Sequence, residues 1–258
     1  EEIRQLSPEL IVVAAYGRLL PREILELPAK GCINVHSSLL PKYRGAAPIN
    51  WAVLNGEEET GVTIMYMAQE LDAGDIIAQA STPIDPEETV ESVHDRLAGL
   101  GARLLVQTVS RLEAGTAERT PQDGERATYA PMLSRELSPI DWTRPAREIH
   151  DQIRGLIPWP ASSTDLLGAG VVKVFGGRET GESTSRRPGT ILSADKRGIR
   201  VACALLDRAS GAWKSTDVCG RLFERTPCFG GRGLRPIQKR EVKPCGCPRN
   251  GAPHPERL

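Results

Sequence analysis

At 258 residues the chain is long enough for one large domain or two of ordinary size. Lysine plus arginine equal aspartate plus glutamate at 33 each, so no global charge marks a nucleic-acid or membrane partner. No stretch approaches the roughly 20 consecutive apolar residues of a bilayer-spanning helix, so none is expected.

In chain order, Glu1 to Leu6 read as the inside of a helix. Glu9 to Tyr16 carry a continuous apolar run, the pattern of a buried parallel strand, and Gly17 ends it. Pro21 opens a short helix that Pro28 closes, and Gly31 leads into a second strand, Cys32 to His36. Strand, helix, strand in that order predict a right-handed crossover in a mostly parallel sheet. Pro41 to Gly45 form a loop, and Pro48 begins a helix that Gly56 stops. Gly61 to Ala68 alternate as a strand, Asp72-Ala-Gly-Asp75 is turn chemistry, and Ile76 to Ile84 form another strand. Thr89 is placed to cap the longest helix, with an apolar stripe of Val93, Leu97, Leu100, Leu104, Leu105 and Val109. Ala114-Gly115 closes this first domain, residues 1–115.

Residues 116–139 are polar and punctuated by Pro121, Gly124 and Pro131, which predicts a linker. Residues 140–203 then hold a helix over Pro145 to Arg154 and short strands at Val171 to Phe175 and Gly198 to Ala202, a small β-rich second domain. Glu182 to Pro188 read as a solvated loop, and Trp142 and Trp159 as core or hinge residues.

Asn34 and His36 lie two apart on a strand, so both side chains leave the same face. They sit at the strand's C-terminal end, where open sheets place ligand sites. Asp72 lies on a turn that can return an acid to the same edge. An amide, an imidazole and a carboxylate converging there suit acyl transfer between nitrogens. The amide donates to a developing oxyanion, and the imidazole, held by the carboxylate, handles protons. Each residue taken singly also has a structural reading: a satisfied strand-end histidine, a loop-anchoring amide, a turn aspartate.

The run Asn34-Val-His-Ser-Ser-Leu-Leu-Pro41-Lys-Tyr-Arg44-Gly45-Ala-Ala-Pro48, followed by Thr60-Gly-Val-Thr-Ile-Met65 and Leu71-Asp72-Ala-Gly74-Asp75, resembles the signature of the 10-formyltetrahydrofolate-dependent formyltransferases. The resemblance implies an α/β fold: an incomplete Rossmann-like formyltransferase domain followed by a small, OB-like β-barrel domain. It implies Asn34, His36 and Asp72 as catalytic residues, and Ser38, Leu39, Leu40 and Pro41 at the tetrahydrofolate site. Tyr129-Ala130, Ile140-Asp141-Trp142, Ile157-Pro-Trp-Pro160, Val171-Val-Lys173-Val and Pro188-Gly-Thr-Ile191 are similar to the C-terminal domain of the branch acting on methionyl-tRNA. By that resemblance the expected activity is formyl transfer from 10-formyltetrahydrofolate to the amino group of initiator methionyl-tRNA. The donor folate would be cosubstrate, with no metal, in a cytoplasmic monomer with no membrane partner. A sugar-nucleotide formyltransferase is the nearest alternative, and an inactive fragment that at most binds folate or RNA is the alternative from another class.

Two departures accompany the resemblance. It begins part-way into the first domain, without the family's opening strand and glycine-rich turn, so residues 1–258 alone are expected to be poorly soluble or inactive. It stops after Cys203, and residues 204–258 read as an aberrant, frame-shifted tail, with nine basic residues against three acidic ones from Arg221 onward. Cys32 stands alone in the first two hundred residues, while Cys203, Cys219, Cys228, Cys245 and Cys247 crowd the tail. That placement argues against a disulfide framework and for a reducing compartment. Cys228, Cys245 and Cys247 lack the paired spacing of a zinc site, and Cys32 reads as a buried strand thiol.

Overall fold

The computed structural model describes residues 1–167, 170–195, 198–206, 213–222 and 242–243. Contacts divide the chain into one unit comprising Glu1–Leu137 with Asp151–Pro160 and a second comprising Ser138–His150 with Ala161–Leu258.

The first unit runs α1 (Glu2–Gln5), β1 (Ile11–Ala14), α2 (Arg22–Leu25), β2 (Cys32–His36), β3 (Arg44–Gly45), α3 (Pro48–Leu54), β4 (Glu59–Tyr66), β5 (Ile76–Pro83), α4 (Val90–Glu113) and β6 (Tyr129–Ala130). Its main sheet has the order β1-β2-β4-β5. Only β1 and β2 are parallel; β2–β4 and β4–β5 are antiparallel, so the mostly parallel sheet expected from the sequence is a mixed one. Residues 67–75 join β4 to β5, fewer than the dozen or more that a parallel crossover requires. The register sets Tyr66 opposite Ile33, so the β4–β5 turn starts beside the N-terminal end of β2, where the Met67 N–H donates to the Cys32 carbonyl. This is not the C-terminal edge expected from the sequence, and Asp72 reaches His36 from this turn.

One sheet face carries Ile33, Val62 and Ile64, which pack with Val53, Val93 and Leu97 in a closed apolar cluster. Each such fully buried side chain contributes about 1.5–3 kcal/mol. The stripe predicted for α4 is the stripe that packs, with Leu100, Leu104, Leu105 and Val109 at its half-buried margin. Thr89 occupies the N-cap of α4 but makes no capping hydrogen bond. Glu88 tethers that end instead, accepting from Ser92 and from both terminal nitrogens of Arg96. The opposite sheet face presents Asn34 and His36, with Met65 and Thr63 as their cross-strand partners.

The segment read as a linker is bonded into this unit. Thr120 pairs with Ile76 through both backbone groups, and β6 pairs in parallel with β3. Cys32 is a buried strand thiol as expected, its Sγ 3.4 Å from the Ile24 carbonyl.

In the second unit, β7 (Ser162–Leu166), β8 (Gly170–Thr184), β9 (Ile191–Asp195), β10 (Gly198–Leu206), β11 (Trp213–Leu222) and β12 (Val242–Lys243) form an antiparallel sheet ordered β12-β7-β8-β11-β10-β9. The helix α5 (Ala146–Gly155) is divided between the units. Trp142 is buried and its indole N–H donates to Thr164 Oγ1 at 3.0 Å, whereas Trp159, in the first unit, is half-exposed. The segment read as a solvated loop at Glu182 begins inside β8, and strand structure does not stop at Cys203: β10 runs on to Leu206, and β11 pairs with both β10 and β8. Most of the expected aberrant tail, including Cys228, Cys245 and Cys247, lies outside the described residues. Among the described residues, no helix is long and apolar enough to cross a membrane.

Candidate active site

His36 ends β2 and is buried. Its Nε2 lies 2.9 Å from the Tyr43 carbonyl oxygen. A carbonyl can only accept, so Nε2 is the protonated nitrogen and Nδ1 carries the lone pair of the neutral ring. Nδ1 faces Asp72 Oδ2 at 3.7 Å, beyond ordinary hydrogen-bond length. The carboxylate is held elsewhere: Asp72 Oδ2 accepts the Gly45 backbone N–H at 2.9 Å. The imidazole is thus oriented by Tyr43, not by the acid as the sequence reading had it, because the loop after β2 folds back over the ring.

Tyr43 can do this because it is itself pinned. Its backbone is left-handed (φ 62°). Its N–H donates to Thr128 Oγ1, and its phenol donates to Glu57 Oε1 at 2.7 Å while accepting from Asn55. Burial pushes that phenol up to about 12, so it stays a neutral donor. Asn34, on the same strand face as His36, makes no side-chain hydrogen bond to any described residue and is half-buried. Its amide keeps both donors unspent among the described residues.

The structure brings His36 and Asp72 together and leaves Asn34 beside them on β2. The Ser38–Pro41 stretch behaves differently. Ser38 is fully buried and spends its hydroxyl on the Lys42 carbonyl at 2.6 Å, so it shapes the loop from within. Thr63 Oγ1 accepts the Leu40 N–H and donates to the Ser38 carbonyl, and Gln79 Nε2 donates to the Leu40 carbonyl. Leu39, Leu40 and Pro41 line a cavity of about 380 Å³ with Lys42, Gln79 and Arg126. That volume lies within the range of small-molecule sites.

Sequence reasoning missed four contributors: Tyr43 through its carbonyl, Gly45 through its N–H, Thr63, and Gln122. Gln122 lies in the presumed linker, yet its Nε2 donates to the carbonyls of Asp72 and Gly74 at 2.8 and 2.7 Å. Its Oε1 accepts from Nε and Nη2 of the buried Arg44. Gly74 is required where it stands, since a Cβ there would lie 1.9 Å from the Tyr66 carbonyl oxygen. A run such as Tyr-Arg-Gly after the strand signals a loop, but no local pattern discloses which of its carbonyls meets the ring.

Chemically, the centre combines an unspent amide donor, an imidazole with an available Nδ1 and a carboxylate beside it. Such a group can stabilise a developing oxyanion and carry one proton between two heteroatoms.

Comparison with known proteins identifies the family. The family profile described as "Formyl transferase" matches residues 1–109, and "Formyl transferase, C-terminal domain" matches residues 132–209. The methionyl-tRNA formyltransferase of Moorella thermoacetica is 54% identical over 201 residues, covering 78% of this chain and 64% of that protein. The enzyme of the same name from Bacillus subtilis is 46% identical over 202 residues, covering 78% and 63%. The chain thus spans less than two thirds of the length of these relatives. Among solved structures, WlaRD, a sugar 3N-formyl transferase in the presence of dTDP and 5-N-formyl-tetrahydrofolate, aligns with a TM-score of 0.67 at 17% identity, covering 87% of this chain and 77% of that one. HypX from Aquifex aeolicus in complex with tetrahydrofolic acid aligns with a TM-score of 0.64 at 22% identity, covering 87% and 37%. Those two likenesses carry the fold; the profile matches to both units, with the curated relatives, place this chain in the formyl transferase family.

Proposed function

We propose that this centre transfers a formyl group from 10-formyltetrahydrofolate to the amino group of initiator methionyl-tRNA. The observation that carries the reading is the pairing of His36 Nδ1 with Asp72 Oδ2 across 3.7 Å, on the sheet face that also presents the unspent Asn34 amide.

In this reading the acceptor nitrogen attacks the formyl carbon and the carbonyl oxygen becomes an oxyanion, to which Asn34 donates. His36 Nδ1 takes the proton that the attacking nitrogen sheds, and the imidazolium so formed is stabilised by the Asp72 carboxylate. The carbon–N10 bond then breaks, and the proton passes from His36 to N10. One proton moves from acceptor to donor nitrogen and no redox partner is needed. The tautomer fixed by Tyr43 supports this assignment, because it leaves the site-facing nitrogen as the base. The cavity lined by Leu39, Leu40 and Pro41 supports a folate subsite at that stretch, although Asn34, His36 and Asp72 are not among its lining residues.

The acceptor is argued from relatedness. The curated relatives near 50% identity are named for methionyl-tRNA, whereas the sugar-modifying neighbours share about a fifth of their residues. The test offers the protein, expressed from its complete gene, 10-formyltetrahydrofolate with methionyl-tRNA in one arm and a dTDP-amino sugar in the other. Formylmethionyl-tRNA in the first arm alone is expected. A formylated sugar, or no product in either arm, contradicts the proposal.

A further inference from the structure

We infer that Gln122 is a positioning residue that seats Asp72 for the reaction, acting through the backbone of the Asp72 turn. The inference deepens the formyl-transfer reading and rests on it for its catalytic consequence, though not for its structural one.

Asp72 sits at φ 48°, in a left-handed conformation that a non-glycine residue holds only when its surroundings impose it. Among the described residues its carboxylate accepts one hydrogen bond, from Gly45 N–H at 2.9 Å, which holds the side chain and not the turn. The backbone adds Ala73 N–H to the Glu70 carbonyl at 3.5 Å and Tyr66 N–H to the Asp75 carbonyl at 2.9 Å, and Gln122 adds two bonds from outside the turn. Its amide nitrogen bridges the Asp72 and Gly74 carbonyls, so both ends of the three-residue bend are fixed by one planar group. Its amide oxygen faces the Arg44 fork at 3.1 and 2.8 Å, which sets the orientation of the amide, nitrogen toward the turn.

Arg44 is the residue before Gly45. The same two-residue strand therefore orients Gln122 and donates to the Asp72 carboxylate. The segment bearing Gln122 also anchors this strand: the Arg44 N–H donates to the Thr128 carbonyl at 2.8 Å. Arg119 adds an ion pair to Asp75 at 3.1 Å at the far end of the turn. The contacts close a ring in which Gln122 spans 50 residues to the turn and 78 to the strand. A side chain whose only task was to anchor its own loop would not need to bridge two carbonyls flanking a site carboxylate.

The test has a structural arm and a catalytic arm, both on the protein expressed from its complete gene. In the structural arm, arginine carbonyl-¹³C and glycine-¹⁵N labelling selects the glycines that follow arginine, at positions 45, 155, 198 and 233 within residues 1–258. The signal lost from this set in Arg44→Lys is that of Gly45, whose proton reports its bond to Asp72. Gln122→Leu is expected to move that resonance upfield and speed its hydrogen exchange. Arg44→Lys, which disorients Gln122 while leaving it in place and is read with lysine carbonyl-¹³C instead of arginine, is expected to do the same to a smaller degree and serves if Gln122→Leu does not fold. In the catalytic arm, Gln122→Leu is expected to lower kcat by about tenfold or more while the KM for the folate donor changes less than about threefold. In an Asp72→Asn background the same substitution should cost less than about twofold, because its effect runs through Asp72. An unmoved Gly45 resonance, or losses that multiply in the double variant, overturns the inference. If the parent protein forms no product, the formyl-transfer reading fails, and the Gly45 resonance alone decides whether Gln122 seats Asp72.

Discussion

At the scale of single residues, the centre is organised by backbone atoms that the sequence does not advertise. The Tyr43 carbonyl fixes which His36 nitrogen is the base, and the Gly45 N–H fixes where the Asp72 carboxylate points. Tyr43 thus contributes through its main chain, while its phenol keeps the loop in place through Glu57 and Asn55. Tyr43→Phe is therefore expected to cost about 1–2 kcal/mol of stability, the range for a buried hydrogen bond left unpartnered, with turnover within about threefold of the parent. The phenol also predicts a pH dependence. Below about pH 10 it is neutral both folded and unfolded, and its contribution is complete. Between pH 10 and about 12 the unfolded chain ionises while the folded one resists, so stability falls as pH rises. Thermal unfolding across that window should show a decline in the parent that Tyr43→Phe lacks. Gly74→Ala should be harsher, since its Cβ would overlap the Tyr66 carbonyl and displace the Asp72 turn. Asn34, His36 and Asp72 could be singled out because they stand in ordered motifs, and the structure sets His36 and Asp72 side by side. Gln122 was not, because a glutamine among Pro121, Gly124 and other polar residues looks solvated, and its partners lie 50 and 78 residues away.

At the scale of elements, periodicity was a sound guide and hydrogen-bonded ends were not. The α4 stripe from Val93 to Val109 packs as its spacing implied, since burial of one helix face is what that spacing encodes. The cap at Thr89 was a fair local expectation that a longer-range pairing displaced. The Arg96 guanidinium holds the Glu88 carboxyl far down, to about 2, aided by Ser92 and the Asp85 N–H and opposed by partial burial. Because the folded value lies below the unfolded one, the stabilisation is complete above about pH 4.5 and is lost as pH falls toward 2. Glu88→Gln should flatten that acid limb of the stability curve and lower the neutral-pH melting temperature by a few degrees, as an ion-pair contribution of about 1 kcal/mol implies. An acid limb unchanged in the variant would show that other carboxylates set it. Sheet direction was misread for a different reason: a strand's apolar pattern fixes its burial and says nothing of its neighbour's direction, which here follows from a turn too short to cross over.

At the scale of the whole molecule, family membership is carried by both units, since separate profiles match residues 1–109 and 132–209. The segment between 115 and 137 belongs to the first unit, paired to β3 through β6 and bonded to the Asp72 turn through Gln122. In the described residues β1 is an edge strand, bonded to β2 on one side, and Val12, Tyr16 and Leu19 near it are about half exposed. An apolar edge of this kind templates self-association. Val12→Lys is expected to raise the soluble, non-aggregated fraction of residues 1–258 on size-exclusion chromatography, and an unchanged fraction would exonerate that edge.

The central claim is that His36 moves the proton of formyl transfer. Its direct test is single-turnover formylation of methionyl-tRNA by the His36→Ala variant of the protein expressed from its complete gene, with circular dichroism to confirm the fold. A rate lowered by about a thousandfold or more, at near-parental stability, is the predicted result. A folded variant that formylates within a few fold of the parent would contradict it.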